Sequence, residues 1–282
     1  MEALLPPVIL NCLPKAGTHL IKKLFEHLSL YNDVGFTLSR KIGEKYGTVE
    51  RGCLVGVADP VCISAASFGA ILDNLKDNRY AIGHVAYCDV TKEMLESRKI
   101  RMLTLLRDPR DVACSLVFYI LRSKGHFLHG YFSSLPDMTA RLKAVIDGIE
   151  PSPMTGGLSL KPIAEQFKSI AHWESMTSVH AVFYEALVGE NGGGDRLTQA
   201  RAVSAILNFL EYPLAEVDID DVCSKIYSRD SATFRTGKTG DWRNWFTVEI
   251  AEYFERHVRE VLMKDDIASG LLESAAIYGK GV

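Results

Sequence analysis

Apolar residues in this chain come in two textures. Short runs with almost no polar interruption alternate with longer stretches in which apolar positions recur three and four apart. Residues 8–13, VILNCL, form such a run. Pro14-Lys15-Ala16-Gly17-Thr18 follows, and then Leu20, Ile21, Leu24, Phe25 and Leu28 fall on one helical face. The pattern predicts strand, tight loop, helix. Residues 100–106, IRMLTLL, read as a buried strand, and Arg107-Asp108-Pro109-Arg110-Asp111 opens a helix to about Leu121, with Asp108 as cap and Pro109 in the first turn. Residues 179–184 give a third buried strand and 79–84 a shorter one. Helices are expected over 67–76, 91–97, 164–176, 196–210 and 247–263. The glycine-rich 32–64 region predicts loops with short elements. Residues 125–162 predict a surface excursion with one helical piece at 138–149. Buried strands alternating with helices imply an α/β fold: a central parallel sheet flanked by helices on both faces. No repeat or linker divides the 282 residues, so one domain, 1–282, is expected.

Composition narrows the classes. Apolar residues at 47% and charged residues at 24% exclude a disordered chain, a collagen-like repeat and a coiled coil. Lys and Arg total 32 against 35 Asp and Glu, a net charge of −3, which is not the footprint of a nucleic-acid binder. The longest apolar stretch, 112–121, contains Ser115 and falls well short of the ~20 residues of a membrane span. The N-terminus has neither a basic segment nor a long apolar one, so no signal peptide is expected. Six scattered cysteines without a CxxC pair predict free thiols and a cytoplasmic location.

Three segments carry candidate chemistry. Leu13 to His19 lies between a strand and a helix, where free N–H groups and the helix dipole favour an anion. Gly17 allows close approach, Thr18 offers a hydroxyl and Lys15 a charge. This is a P-loop-like phosphate or sulfate cradle. The Walker A order is absent, because Lys15 precedes the glycine. A near miss at Gly237-Lys238-Thr239 has Ala232 where the first glycine belongs, which disfavours a Walker-type hydrolase. The second segment, Arg107 to Asp111 with Ser115 two turns on, follows a strand at the edge where parallel sheets bind ligands. An Arg fork and a hydroxyl there suit a phosphate. The third, Phe234 to Asn244, holds two glycines, three Arg and Lys residues and a Trp, and suggests an ordered loop over an anion.

The trio LPKAGT, RDPRDVACS and FRTGKTGDWRNWFT, in that order, resembles the signature set of the cytosolic-type sulfotransferases, over about Ile9 to Val258. The resemblance implies 3'-phosphoadenosine 5'-phosphosulfate (PAPS) as sulfuryl donor and no metal. By similarity Lys15, Gly17, Thr18 and His19 hold the 5'-phosphosulfate, with Lys15 stabilising charge on the bridging oxygen. Arg107 and Ser115 bind the 3'-phosphate, Arg235, Thr236 and Gly237 close on it, and Tyr184 contacts the adenine. His84, in IGHVAY, stands where the family carries its general base.

The chain departs from the family at three places. Leu20 replaces an adenine-stacking Trp, Ile82 stands where a Lys often assists the sulfuryl group, and Thr236 replaces a cation. The chemistry agrees independently: in-line transfer to an alcohol needs a base of near-neutral pKa and positive charge at the leaving oxygen. His126 and His129, in GHFLHG, look like a metal pair without further ligands and read as loop residues bordering an acceptor pocket. The acceptor, a small molecule, lipid or saccharide bearing a hydroxyl or less readily an amine, is left open. So are two other readings, a nucleotide or small-molecule kinase and a catalytically silent nucleotide-binding protein on the same fold. Arg243 to Glu252 resembles the family's short dimerisation segment and implies a weak homodimer.

Overall fold

The computed structural model describes residues 4–228 and 234–278; Ala232, on which the Walker comparison turned, and Met1 to Ala3 lie outside them. Five parallel strands form the sheet: β1 (Val8–Cys12), β2 (Asn32–Leu38), β5 (Arg79–Gly83), β6 (Arg101–Leu106) and β7 (Val179–Phe183), in the order β2-β5-β1-β6-β7. A separate antiparallel hairpin pairs β3 (Cys53–Val55) with β4 (Val61–Ile63).

The unbroken apolar runs follow from burial on both faces. Successive strand side chains point to opposite sides. On one side Val8, Leu10, Leu103, Leu105 and Val182 pack with Ile21, Leu24 and Phe25 of the Thr18–Glu26 helix and Val203, Ile206 and Leu207 of the Arg196–Phe209 helix. On the other, Ile9, Ala81, Met102 and Val179 pack with Phe68, Ile71, Leu72, Leu95 and Trp173.

Three expectations need correction. Residues 32–38 form a full edge strand of the main sheet, longer than the short elements expected there. Gly35 at φ +80 and a register shift between Asp33 and Thr37 break its pattern, while an edge strand needs a partner on one side only. The 125–162 segment is not a surface excursion: Leu128, Phe132, Leu142, Val145 and Ile146 are fully or almost fully buried, on the helices His129–Ser134 and Met138–Asp147 or just before them. The expected 247–263 helix divides at a π-helical turn, Glu255–Arg259. Helices at Ile219–Lys225 and Asp266–Tyr278 complete the described chain beyond what the pattern suggested. No helix among the described residues is long and apolar enough to cross a membrane. All six cysteines are free.

β1 lies at the point where strand order reverses. The chain leaves it for β2 on one side, returns through β5, then crosses to β6. Register places Asn11 beside Gly83 and Cys12 beside Leu105, so the segments after β5, β1 and β6 emerge together.

Candidate active site

Those segments, with the one after β7, surround a cavity of about 730 Å³, and every residue assigned to the donor or to catalysis from the sequence lines it, whereas His126 and His129 do not. His84 comes from the end of β5, Lys15 to His19 from β1, Arg107 from β6 and Tyr184 from β7. Ser115 projects from the Pro109–Arg122 helix, and Arg235 to Gly237 from the third segment. None of the described residues lining the cavity is acidic.

The first loop is tight. Lys15 takes the left-handed conformation at φ +68, which is rare for a residue with a side chain and costs on the order of 1–3 kcal/mol. Gly17 sits at φ +109, and a Cβ there would come within 2.5 Å of the Tyr184 ring, so glycine is required twice over. The Thr18–Glu26 helix begins immediately after, with its free N–H groups at the cavity. The Lys15 ammonium sits 4.1 Å from the centroid of the Tyr119 ring. Burial lowers its pKa to about 8, helped by Arg122, Arg107 and Arg235.

His84 is held from several sides. Its N–H donates to Leu38 (2.8 Å), and its carbonyl accepts from the Gly56 N–H (2.7 Å). The next residue is clamped by Asn11, fully buried in β1: the Asn11 amide donates to the Val85 carbonyl (3.0 Å) and accepts from the Val85 N–H (2.8 Å). The indole of Trp173 donates to the same carbonyl (2.9 Å). Nδ1 of His84 lies 2.7 Å from the Cys12 carbonyl oxygen. A carbonyl only accepts, so Nδ1 carries the proton and Nε2 keeps the lone pair. Desolvation lowers the His84 pKa against the pull of that hydrogen bond, and the Lys15 charge adds to the lowering, which favours the neutral ring.

The second and third segments are stapled together. Asp111, fully buried, accepts from the N–H groups of Gly240 (2.8 Å) and Trp242 (2.9 Å). Desolvation raises its pKa against the pull of Arg107, 3.5 Å away. Arg107 donates to the Lys238 carbonyl (2.7 Å) and lies over the Tyr184 ring (4.1 Å). Arg235 pairs with Asp241 (2.6 Å) and lies over Phe118 (4.7 Å). The Nε atoms of Arg107 and Arg235 are buried without a hydrogen-bond partner. Behind them Glu185 accepts from the Asp108 N–H (2.9 Å); burial pushes its pKa up to about 8, against the opposing pull of Arg107.

Some positions depart from simple transfer of the motifs. Leu20 and Ile82 line the cavity where the resemblance would place Trp and Lys, while Tyr227 and Phe234 supply aromatic rings to the wall. His126 does not face His129 as a ligand pair: its Nδ1 accepts the Leu128 N–H (3.2 Å), and the His129 Nδ1 donates to the Ile120 carbonyl (3.1 Å). Asn11, Asp111, Tyr119 and Glu185 escaped the sequence reading. Asn11 left one trace, a polar residue inside an otherwise apolar run; Asp111 lay within a quoted motif without an assigned task.

The fit to a donor with two anionic ends can be tested on this geometry. Lys15 and a helix N-terminus line the cavity, and so do Arg107 and Arg235, each with a buried unpartnered N–H. The residues present fit it.

Comparison with known proteins gives a family and a fold. A family model described as sulfotransferase domain matches residues 5–266. Among solved structures, mouse sulfotransferase SULT7A1 complexed with PAP is similar at 17% identity over 95% of this chain and 88% of that one, with a TM-score of 0.62. Retinol dehydratase in complex with androsterone and the inactive cofactor PAP gives 16% identity, 92% and 80% coverage and a TM-score of 0.57. A sulfotransferase from Alicyclobacillus acidocaldarius gives 14%, 95% and 96%, and 0.51. Among curated proteins, none matches the chain by sequence.

Proposed function

The chain belongs to the sulfotransferase domain family, a family of enzymes, and from that premise we propose that it transfers the sulfuryl group of PAPS to a hydroxyl of a small-molecule, lipid or saccharide acceptor. In this reading the acceptor oxygen attacks sulfur in line. The bond between sulfur and the bridging oxygen breaks, and its electron pair stays on the 5'-phosphate of the departing 3'-phosphoadenosine 5'-phosphate (PAP). The hydroxyl proton passes to Nε2 of His84. Lys15 and the helix N-terminus stabilise the charge that develops on the leaving oxygen. Arg107, Ser115 and Arg235, with Thr236 and Gly237, hold the 3'-phosphate; Thr18 and His19 hold the 5' end; Tyr184 borders the adenine.

The observation that carries the proposal is one cavity lined both by a histidine whose Nδ1 is tied to a backbone carbonyl and by two guanidiniums with buried, unpartnered Nε–H groups. The unpartnered Nε–H groups of Arg107 and Arg235 suit a 3'-phosphate, which AMP lacks. PAP at ~100 times its dissociation constant should therefore add about 2.7 kcal/mol of stability, seen as a raised Tm, and AMP much less. Arg107→Ala should abolish the preference. Equal stabilisation by AMP would refute the donor assignment. An acceptor screen with PAPS, read by mass spectrometry for sulfate addition, identifies the second substrate. Trp245 and Val248 are exposed in the segment resembling the family's dimer contact, which supports a weak homodimer. A monomer mass by light scattering at tens of micromolar would reject it.

A further inference from the structure

Lys15 lacks what usually fixes a buried lysine. The charges that bear on its ammonium are the cations Arg122, Arg107 and Arg235, and no acidic side chain among the described residues lines the cavity around it. Repulsion by three guanidiniums favours rotamers that lead out to water. What the ammonium has instead is the face of Tyr119, 4.1 Å away. Tyr119 stands one turn beyond Ser115 on the Pro109–Arg122 helix, so both project to the cavity from one helix face. Its ring is itself braced: His126 packs against it edge-on at 5.5 Å, and His126 is fixed by its bond from the Leu128 N–H. The helix is anchored in the core through Val117 and Ile120.

We propose that Tyr119 is a positioning residue for the transfer reaction, its ring face holding the Lys15 ammonium at the sulfuryl end of the cavity before the donor arrives. The assignment rests on the donor reading above. The physical reason for a ring is electrostatic. A carboxylate would also hold the lysine, but it would repel the phosphates and sulfate that must enter the same space. The ring quadrupole attracts a cation while adding no net negative charge.

The test uses the full-length chain with lysines reductively dimethylated by ¹³C-formaldehyde, which keeps their charge. Lys15→Arg identifies the Lys15 signal. Methyl groups above an aromatic face are shifted upfield, so the wild type and Tyr119→Phe should both show a displaced signal. Tyr119→Leu should return it to the common lysine position. The amine should titrate at a lower pH in Tyr119→Leu than in the wild type, because the charged form loses the ring. Arg107, Arg122 and Arg235 remain around it, with the imidazoles of His19, His84 and His126. Single-turnover transfer from PAPS to an acceptor found by the screen should fall roughly 2- to 30-fold in Tyr119→Leu, the range a cation–π contact converts to, and Tyr119→Phe should recover most of it. PAP affinity should change much less than that rate. An unshifted Lys15 signal in the wild type, or a Tyr119→Phe variant that behaves like Tyr119→Leu, would overturn the assignment. Failure of the wild type to bind PAP is a failure of the donor reading, and it is read separately because the carbon shifts are recorded without nucleotide.

Discussion

Asp111→Ala removes the staple between the second and third segments. Its carboxylate, itself fully buried, accepts two backbone N–H groups at 2.8 and 2.9 Å and faces Arg107 at 3.5 Å. Each orphaned buried N–H costs about 1–3 kcal/mol, and breaking a buried ion pair from one side costs about 3–5 kcal/mol. These contributions share one carboxylate and do not add. The expected loss is therefore about 3–5 kcal/mol, unless the Phe234–Trp242 segment detaches first and limits it. Asp111→Asn loses the same charge opposite Arg107 but keeps one acceptor for a backbone N–H, so its loss should be smaller than that of Ala by about 1–3 kcal/mol. Urea unfolding of the three proteins measures stability, and calorimetric titration with PAP measures whether Arg235 is still delivered. The expected order of stability is wild type, Asn, Ala, with PAP affinity down more than ~10-fold in Ala, a loss of ~1.4 kcal/mol or more. A variant Asp111→Ala that unfolds within ~0.5 kcal/mol of the wild type and binds PAP normally would refute the reasoning, since a change that small is typical of an exposed position.

His84→Ala should cut turnover ~10²–10⁴-fold while leaving PAP affinity nearly unchanged; a parallel loss of both would mark His84 as a structural brace, and near-normal turnover would remove it from the mechanism. PAP affinity should be flat between about pH 7 and 8, above the phosphates' own titration near ~6, and fall above pH 8. The Lys15 pKa near 8 in the free protein rises when a polyanion binds, so binding takes up a proton in that window. Glu185 contributes with the same sign, and Lys15→Arg isolates the lysine share; calorimetry in buffers of different ionisation enthalpy counts the protons. Glu185 itself predicts a stability slope. Its folded pKa is raised from 4.5 to about 8, so its stabilising contribution is complete below pH 4.5 and is lost as pH rises through 8. At 1.36 kcal/mol per unit the loss has an upper bound of roughly 5 kcal/mol. Urea unfolding of Glu185→Gln at pH 5 and pH 8 should show this slope flattened; an unchanged slope would remove Glu185 as its source.

Local order was legible in the sequence because it depends on neighbours along the chain. β1, β6 and β7 are apolar runs because both sheet faces are covered, and that need appears directly as composition. The cap at Asp108, whose side chain accepts the Arg110 N–H, and Pro109 behind it are fixed within three residues. Lys15 to His19, His84, Arg107 and Tyr184 were legible for a related reason: a strand that ends in a tight loop or a cap presents its next side chains at the sheet edge, wherever the strand lies in the sheet. Strand order, register and remote pairing were not legible. Nothing near Asn11 says that its amide will grip Val85, 74 residues on, and so aim His84. Nothing near Asp111 says that its two acceptors will meet Gly240 and Trp242. The 125–162 segment looked external because its glycines, prolines and histidines break the periodicity, yet its apolar residues lie in the core. β2 was hidden because an edge strand paired on one side tolerates polar residues and a glycine. The sequence by itself determined which side chains end each strand and begin each helix. Only the tertiary structure decided which of them meet, which lose their water, and so which way Lys15, His84 and Glu185 shift in pKa, because desolvation and Coulomb energy depend on distance through space and not along the chain.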